Sequence, residues 1–468
     1  MAALIRGYTF FLCGLLYIGF SLTGMKLLGE MLLATAILAL IQCLPTISKI
    51  TKVVFVGLFG LGSALLFFSK ASLAVWGGAV TSNVGILTLI LFVPVLSIPF
   101  KFPRYQSSLE HMLQNVVQKG DNGLYLLGHG IAHLIGVIAN IAAITITYYM
   151  LKAAAGGEKN TMIAKAAARG YTSTVFWSPN SGAVGLVLAY WGGAVVEIIP
   201  FGTVLAIIAL AVGWAENKYR LGLEARHNER PTGQACPEIT STSEEQKTDR
   251  ELGNIRNDFY FLSFAVFFLL VVVIVSDYFT VLGILLIVPI LALIYPCVWA
   301  LLIGEQKTQW VQFQNFIKNG LPNASNEVVI FLGAGFFAAA VGSSEIGTYL
   351  GYFFSSIAYS PTLLIAVIMA VFVLLSLVGF HPVLTATSIV ASITPQALGL
   401  PPTILSVVVL AGWGLAITCS PFSACSLNLA NITGVNPIII GIRWQLLFTC
   451  LLFIVALLYF NLILVLFG

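Results

Sequence analysis

Charged side chains are scarce in this sequence. Its 468 residues include 22 Lys and Arg and 18 Asp and Glu, which is 9% of the chain, while 59% are hydrophobic. An ordinary soluble domain has about 25% charged residues, so a soluble enzyme of this length is excluded, as is a disordered chain. The net charge of +4, without a basic stripe, argues against a nucleic-acid partner. The composition predicts an all-α polytopic membrane protein.

Other signatures are absent as well. The sequence has no G-x-x-x-x-G-K-[ST] motif, which disfavours an ATP-driven pump, and no Arg-rich helix, which disfavours a voltage-gated channel. Its seven cysteines form no CxxC or Cys/His pattern, so no metal site is predicted. No other cofactor is expected.

The few charges are unevenly distributed. Of the 40 charged residues, 16 lie between positions 216 and 258. We therefore predict three parts: a first transmembrane repeat at 1–215, a hydrophilic central loop at 216–258 and a second transmembrane repeat at 259–468. The apolar segments correspond to about 10–12 spans, given about 20 apolar residues per span.

The two halves share a motif, S-P-x-S. It occurs at 178–181 and again at 420–423, 242 residues later. Gly136 precedes the first copy by 42 residues, and Gly379 precedes the second by 41. A second pair of polar interruptions, 81–83 and 343–345, lies further upstream in each half. The shared order predicts an internal repeat, with these two interruptions at the tips of re-entrant hairpins.

The repeated prolines indicate helices that break inside the membrane. An unpaired backbone group in hydrocarbon costs several kcal/mol, so a break persists only where protein or a water-filled cavity satisfies the freed groups. Pro179 and Pro421 each remove an N–H donor and disrupt the preceding turn. The freed carbonyls suit a small cation, and the N-terminus of the following half-helix suits an anion. Paired breaks of this kind are typical of a secondary transporter site near the midplane.

Ionisable residues inside the membrane are candidates for function. Glu345 is predicted to be a cation ligand or proton carrier, or else a hydrated structural carboxylate. His381 is predicted to contact substrate or a proton, or else to cap or bridge helices. His129 and His133 share one helix face, which suits a proton relay or helix–helix hydrogen bonds better than a metal. The predicted substrate- and ion-binding residues are Thr81, Ser82, Asn83, Ser178, Pro179, Asn180, Ser181, Gly182, Ser343, Ser344, Glu345, His381, Ser420, Pro421, Ser423 and Ser426.

The order of these elements resembles the ion transporter superfamily, which includes divalent-anion:sodium symporters, dicarboxylate permeases and arsenite pumps. The symporters carry Ser-Asn-Thr triplets at their hairpin tips. Neither 81–83 nor 343–345 is such a triplet. The resemblance implies two inverted repeats with re-entrant hairpins and broken helices, commonly a homodimer, and elevator-type alternating access.

The predicted function is cation-coupled secondary transport of a small solute, with an organic anion as the favoured class and Na⁺ or H⁺ as the coupling ion. One alternative is a Na⁺/H⁺ antiporter, in which Glu345 or a histidine titrates during exchange. Others are a membrane enzyme acting on a lipid-linked substrate through GHGIAH and His381, or a permease subunit of a larger complex. The expected location is a lipid membrane, the bacterial inner (plasma) membrane.

Overall fold

The computed structural model describes residues 2–102, 105, 120–155, 159–227 and 249–467. Within these ranges the regular structure is entirely helical, and ten segments are long and apolar enough to cross a membrane. Large apolar side chains such as Phe267 and Val465 are exposed on the outside of the bundle, as expected for a surface that faces lipid. The prediction of an all-α polytopic membrane protein is confirmed.

The helices of the first half begin and end at turns that Gly, Pro and Ser favour. Prolines 94 and 99 remove N–H donors from one segment, which therefore forms a 3-10 helix, Val93–Lys101. The α-helices are α1 (Ala2–Thr23), α2 (Lys26–Cys43), α3 (Lys49–Phe68), α4 (Leu73–Thr81), α5 (Val84–Phe92), α6 (Gly120–Ala139), α7 (Ala142–Ala155), α8 (Asn160–Thr174), α9 (Gly182–Trp191) and α10 (Val195–His227).

The second half follows a related order. Its irregular pieces are two π-helices, Phe316–Gly320 and Ile439–Trp444, one short turn, Leu321–Asn323, and one 3-10 helix, Pro395–Leu398. The α-helices are α11 (Asp249–Phe279), α12 (Ile284–Ile303), α13 (Gln306–Asn315), α14 (Ser325–Gly342), α15 (Glu345–Ile357), α16 (Pro361–Leu377), α17 (Pro382–Ser392), α18 (Pro402–Cys419), α19 (Ala424–Thr433) and α20 (Gln445–Phe467).

Two helical hairpins define the repeat. Helices α6 and α7 form the first hairpin, and α16 and α17 form the second. Each is followed by a broken helix, α8–α9 or α18–α19, and then by a long apolar helix, α10 or α20. The core lies between these elements, and α18 is buried along almost its whole length. The two halves are therefore built from the same sequence of elements.

The two hairpins open toward opposite ends of the bundle, which makes the repeats inverted. The tip of the first hairpin packs on the break after α8, and its open end carries Lys152. The second hairpin opens at the other end, where Trp191 at the end of α9 donates a hydrogen bond to the carbonyl of Ile393.

Positive charges collect at one end of the bundle, called here the basic end. The course of the chain from one helix to the next shows which basic residues lie at this end. They are Arg6, Lys49, Lys52, Lys101, Lys152, Lys318 and Arg443. The backbone N–H of Ser48 donates to Asn326, which ties the start of α3 to the start of α14. Lys26 and Lys70 lie at the other end. The positive-inside rule predicts that the basic end faces the cytoplasm.

The predicted central loop is shorter in the structure than in the sequence analysis. Helix α10 continues to His227, and α11 already begins at Asp249. Residues 228–248 lie outside the described residues. The polar residues at the start of the predicted loop therefore belong to a helix, and one of them, Glu216, is buried.

Candidate functional site

A cavity of about 400 Å³ lies in the middle of the bundle, where both breaks and both hairpin tips meet. It continues into a larger vestibule of about 770 Å³ that shares Ile90, Pro94 and Ala142 with it. The vestibule is also lined by Lys101, so it extends toward the basic end. The polar side chains that line the central cavity are Asn140, Tyr171, Thr174, Ser178, Asn180, Ser181, Asn323, Glu327, His381 and Ser423.

Hydrogen bonds fasten the first break to the tip of the first hairpin. The Ser178 hydroxyl donates to the carbonyl of Val137 at 3.4 Å, and the Asn180 side-chain amide donates to the same oxygen at 2.7 Å. The Ser181 side chain accepts a hydrogen bond from the backbone N–H of Ala183 and so caps α9. The break is therefore a fixed structure, although the helix ladder is interrupted there.

The second break is fastened in the same way. The Ser420 hydroxyl donates to the carbonyl of Ser376 in the second hairpin at 2.6 Å. The Ser423 side chain accepts from the backbone N–H of Ser426 and caps α19. In both copies of S-P-x-S, the first serine binds the hairpin and the last serine caps the second half-helix. This shared role explains why the motif recurs with nearly equal spacing to each hairpin.

Two helix N-termini converge on the cavity. The first residues of α9, Gly182 and Ala183, and the first residues of α19, Ala424 and Cys425, all line it. A helix N-terminus carries roughly half a positive elementary charge and unpaired N–H groups. Neither Lys nor Arg is found among the lining residues that the structure describes. The favourable potential for an anion therefore comes from backbone dipoles.

The two hairpin tips adopt conformations that reverse the chain. Asn140 has a positive φ of 52°, and its side chain accepts a hydrogen bond from the Tyr171 hydroxyl at 2.9 Å. Gly379 has a φ of 102°, which only glycine adopts readily. His381 follows it and caps α17, because its Nδ1 accepts the N–H of Val383 at 3.2 Å. The neutral ring therefore carries its proton on Nε2.

Several of the residues predicted at the two S-P-x-S motifs, and the separately predicted His381, lie at the cavity. Ser178, Asn180, Ser181, Gly182, His381 and Ser423 line it. Pro179, Ser420, Pro421 and Ser426 are buried in or beside the breaks, behind the lining.

The predicted hairpin tips at 81–83 and 343–345 are not hairpin tips. Residues 81–83 interrupt one continuous crossing from Leu73 to Lys101, and Asn83 donates to the carbonyl of Phe331 at 3.2 Å. Thr81 and Ser82 bond carbonyls of their own helix. A polar interruption of an apolar run looks the same in sequence whether the chain reverses there or continues.

The second of these segments lies at the end of the bundle opposite the basic end. Ser343 and Ser344 bond back to carbonyls of α14, and Glu345 is exposed at the start of α15. Helix α15 is amphipathic, with Tyr349 and Tyr352 exposed and Phe354 buried, as in helices that lie in the membrane interface. The structure thus keeps these three residues out of the cavity lining.

His129 and His133 are joined by a serine. His133 Nδ1 lies 2.8 Å from the Ser173 hydroxyl, and His129 Nε2 lies 3.5 Å from the same oxygen. Trp177 donates to His133 Nε2 at 3.2 Å, so the proton of this ring is on Nδ1. These contacts hold α6 against α8 beside the first break. The two histidines do not line the cavity.

Several residues of the site were not predicted. Glu327 and Asn323 line the cavity from the start of α14, and Asn140 and Tyr171 line it from the first hairpin and α8. The spacing to Gly136 and Gly379 did point to the hairpins. Nothing in the local pattern around Glu327 distinguished it from other carboxylates at helix ends.

The direction in which the cavity opens yields a labelling prediction. In a variant with all seven native cysteines replaced, Ala142→Cys is expected to react with a membrane-impermeant maleimide in inverted vesicles and much less in right-side-out vesicles, because the vestibule opens toward the basic end. Ser343→Cys, exposed at the other end, is the matched control with the reverse pattern. Labelling of Ala142→Cys from the same side as Ser343→Cys would contradict the assigned orientation.

Comparisons with known proteins give structural likenesses but no match in sequence. No family model matches the sequence, and no curated protein matches it. Among solved structures, the chain is similar to the YdaH transporter of Alcanivorax borkumensis, which is described as having an unusual topology. The two share 13% sequence identity with a TM-score of 0.48, over 83% of this chain and 87% of that chain.

Proposed function

We propose that the protein is a cation-coupled secondary transporter of a small organic anion. The observation that carries the proposal is the meeting of two broken helices and two hairpin tips, from inverted repeats, around one cavity in the middle of the bundle. Inverted repeats with discontinuous helices at a central site are the general architecture of secondary transporters.

The cavity chemistry favours an anion held by dipoles. The N-termini of α9 and α19 direct N–H groups toward the cavity, and His381 offers an Nε2–H donor. Because the described lining residues include no Lys or Arg, we expect the affinity of the site for the anion to be moderate. Moderate binding suits transport, because a solute that is bound too tightly is released slowly.

The breaks also supply groups for a cation. Pro179 and Pro421 have no N–H, so the carbonyls four residues earlier, of Val175 and Ile417, lack their usual helical donor, and both of these residues line the cavity. Oxygen ligands of this kind suit Na⁺, while a proton needs an ionisable side chain such as His381 or Glu327. Either ion remains compatible with the class of transporter proposed here.

The mechanism proposed is alternating access by an elevator-type movement. The hairpins and broken helices form one wall of the cavity, and the other wall is formed by Ile90, Pro94, Glu327 and Phe331 from α5 to α14. Sliding of the two groups relative to each other would open the cavity alternately to the basic end and to the opposite end, so that side chains on both walls meet the solute in each state. Membership of the ion transporter superfamily, a homodimer and the bacterial inner membrane stay predictions.

The alternative functions fit the geometry less well. The antiporter hypothesis relied on Glu345 or a histidine. Glu345 is exposed at one end of the bundle, away from the cavity, which leaves His381 as the group of that hypothesis that lines it. The enzyme hypothesis relied on His129 and His133 acting together with His381. The first two bond Ser173 and Trp177, while His381 lines the cavity.

The serines of the two breaks provide the test. In proteoliposomes, exchange of small radiolabelled carboxylates is expected to fall by roughly twofold to tenfold in Ser178→Ala and in Ser420→Ala, because each loses a buried hydrogen bond that contributes about 0.5–1.5 kcal/mol. Ser356→Ala, whose exposed hydroxyl bonds only its own helix, is the control and should resemble wild type. Wild-type exchange by both variants, or no exchange of any carboxylate by the wild type, would refute the proposed site.

A further inference from the structure

We propose that Glu327 is the proton-binding residue of the central cavity, and that the solute is a small monocarboxylate that enters only when Glu327 is protonated. The inference rests on the proposed function. It names the coupling ion and the class of solute, both of which the proposed function leaves open.

The position of Glu327 is the first observation. It lies in the first turn of α14 and lines the cavity together with Asn323, Phe331 and His381. Its Oε2 atom is buried and has no hydrogen-bond partner among the residues that the structure describes. A buried carboxylate oxygen without a donor is costly, and binding a proton removes that cost.

The neighbouring charges do not neutralise this carboxylate. Arg6 and Glu327 each interact electrostatically with Cys43, but no ion pair joins Glu327 to any described Lys or Arg. The titratable and charged groups at this end of the packed elements include Arg6 on α1, Cys43 on α2, and the exposed Lys49 and Lys52 at the start of α3. Tyr171 and His381 line the same cavity. Lys26, Glu30 and Glu345 lie on packed helices but at the other end of the bundle. Glu327 is thus the carboxylate through which the cavity can gain or lose a negative charge.

Coupling follows from charge repulsion. The cavity holds only about 400 Å³, so an anion at the helix N-termini and an ionised Glu327 would lie close together and repel each other. Protonation of Glu327 removes the repulsion, so proton binding favours anion binding and anion binding favours proton binding. The proton and the anion therefore enter together and leave together.

The same charge balance selects a monocarboxylate. Protonation of Glu327 removes one negative charge from the cavity, which compensates for the single charge of a monocarboxylate. A second negative charge on the solute would find no Lys or Arg among the described lining residues. The rest of the lining includes Ile90, Phe331, Trp413 and Ile417, which suit a short apolar or weakly polar tail. A dicarboxylate would place its second carboxylate against this apolar wall.

The first test needs no solute. Infrared difference spectra of the purified protein in lipid, recorded between acidic and alkaline pH, are expected to show the C=O band of a protonated carboxyl that is absent in Glu327→Gln. Glu197→Gln is the matched control, because Glu197 bonds Thr403 outside the cavity lining. A Glu327→Gln spectrum identical to that of the wild type would overturn the proton site.

The second test measures coupling with lactate, pyruvate and butyrate, and with succinate as the dicarboxylate. The wild type and Glu197→Gln are expected to bind the preferred monocarboxylate roughly tenfold to a hundredfold more tightly at acidic than at alkaline pH, a difference of the usual size for coupled sites. In Glu327→Gln this difference should vanish, and accumulation driven by a pH gradient should be lost. Glu327→Asp should keep a pH dependence, which separates a proton carrier from a residue needed only for folding.

The outcomes separate this inference from the proposed function. Accumulation by Glu327→Gln at the wild-type level would overturn the proton role, and exchange of succinate alone would overturn the choice of a monocarboxylate. If the wild type exchanges no anion while the infrared band of Glu327 still titrates, the proposed function fails and the proton site stands.

Discussion

Replacing Glu216 by Leu is expected to destabilise the protein by about 3–5 kcal/mol, the usual effect of breaking a buried ion pair. Glu216 Oε2 lies 2.8 Å from Nη1 of Arg169, and their side chains are 2% and 0% exposed. Without Glu216, the fully buried guanidinium of Arg169 would have no counter-ion among the residues that the structure describes. Loss of folded protein should appear as lower expression and a lower melting temperature in detergent.

The arrangement around Arg169 explains why the effect should be large. Its Nε donates to Gln445 at 2.7 Å, its Nη2 donates to the carbonyl of Trp444 at 3.1 Å, and the guanidinium lies 4.3 Å from the ring centre of Phe448. The network thus joins α8, just before the first break, to α10 and to α20 of the other repeat. An intramembrane pair of this kind has to be complete to be tolerated.

The two partners of the pair should respond differently. Arg169→Met is expected to cost less than Glu216→Leu, because Glu216 keeps its ion pair with Arg220. The control is Glu30→Ala, which removes an exposed pair with Lys26 at 3.7 Å and should cost less than about 1 kcal/mol. Equal melting temperatures for Glu216→Leu and Glu30→Ala would show that the buried network does not hold the repeats together.

The second large effect, a loss of exchange activity, is expected when either of two glycines that pack against the breaks is replaced by alanine. Gly202→Ala would place a Cβ 2.7 Å from Cβ of Trp177 and against the carbonyl of Phe176. Gly441→Ala would place a Cβ 2.6 Å from the carbonyl oxygen of Cys419. Each change forces backbone at a break to move, so exchange should fall by about tenfold to a hundredfold, as expected when a site is misplaced by about 1 Å.

Gly222→Ala provides a matched control in the same helix as Gly202. A Cβ at this position would meet nothing within 4 Å, so its exchange rate should equal that of the wild type. The overpacked variants should also lose about 1–3 kcal/mol of stability. Exchange is therefore compared for equal amounts of monodisperse protein. Normal exchange by both Gly202→Ala and Gly441→Ala would mean that the positions of the breaks do not matter for transport.

Much of the site could be predicted because its parts repeat in the sequence. The S-P-x-S motif placed both breaks, since proline has a local effect on the helix that does not depend on distant contacts. The roles of the serines needed the structure. Ser178 and Ser420 reach carbonyls of Val137 and Ser376, more than 40 residues upstream, and no local pattern encodes those contacts.

The hairpins were harder to place because a polar interruption of an apolar run can mark either a reversal of the chain or a helix that continues. The sequence analysis assigned the tips to 81–83 and 343–345, whereas the chain reverses at Asn140 and at Gly379, both with positive φ. The re-entrant hairpins also explain the Lys and Arg pattern. Lys101 and Lys152 lie at the same end only because the first hairpin enters and leaves the bundle on one side.

Buried charges were the least predictable part. Arg169 lies in a segment that looks like a basic loop in sequence, and Glu216 lies at the start of the most polar stretch of the chain. Both are buried, because helices α8 and α10 extend further than their composition indicates and pack against Gln445 from the other repeat. The hydrogen bond between Arg169 and Gln445 joins residues 276 positions apart, so it depends on the assembled fold.

Accumulation of a solute against its gradient tests the central claim most directly. Wild-type protein in sealed proteoliposomes, with an imposed inward proton or sodium gradient, is expected to concentrate a radiolabelled small carboxylate above its external level. An ionophore that dissipates the gradient should release the excess. Equal concentrations inside and outside under every gradient, or uptake no greater than that of liposomes without protein, would contradict the account of a coupled transporter.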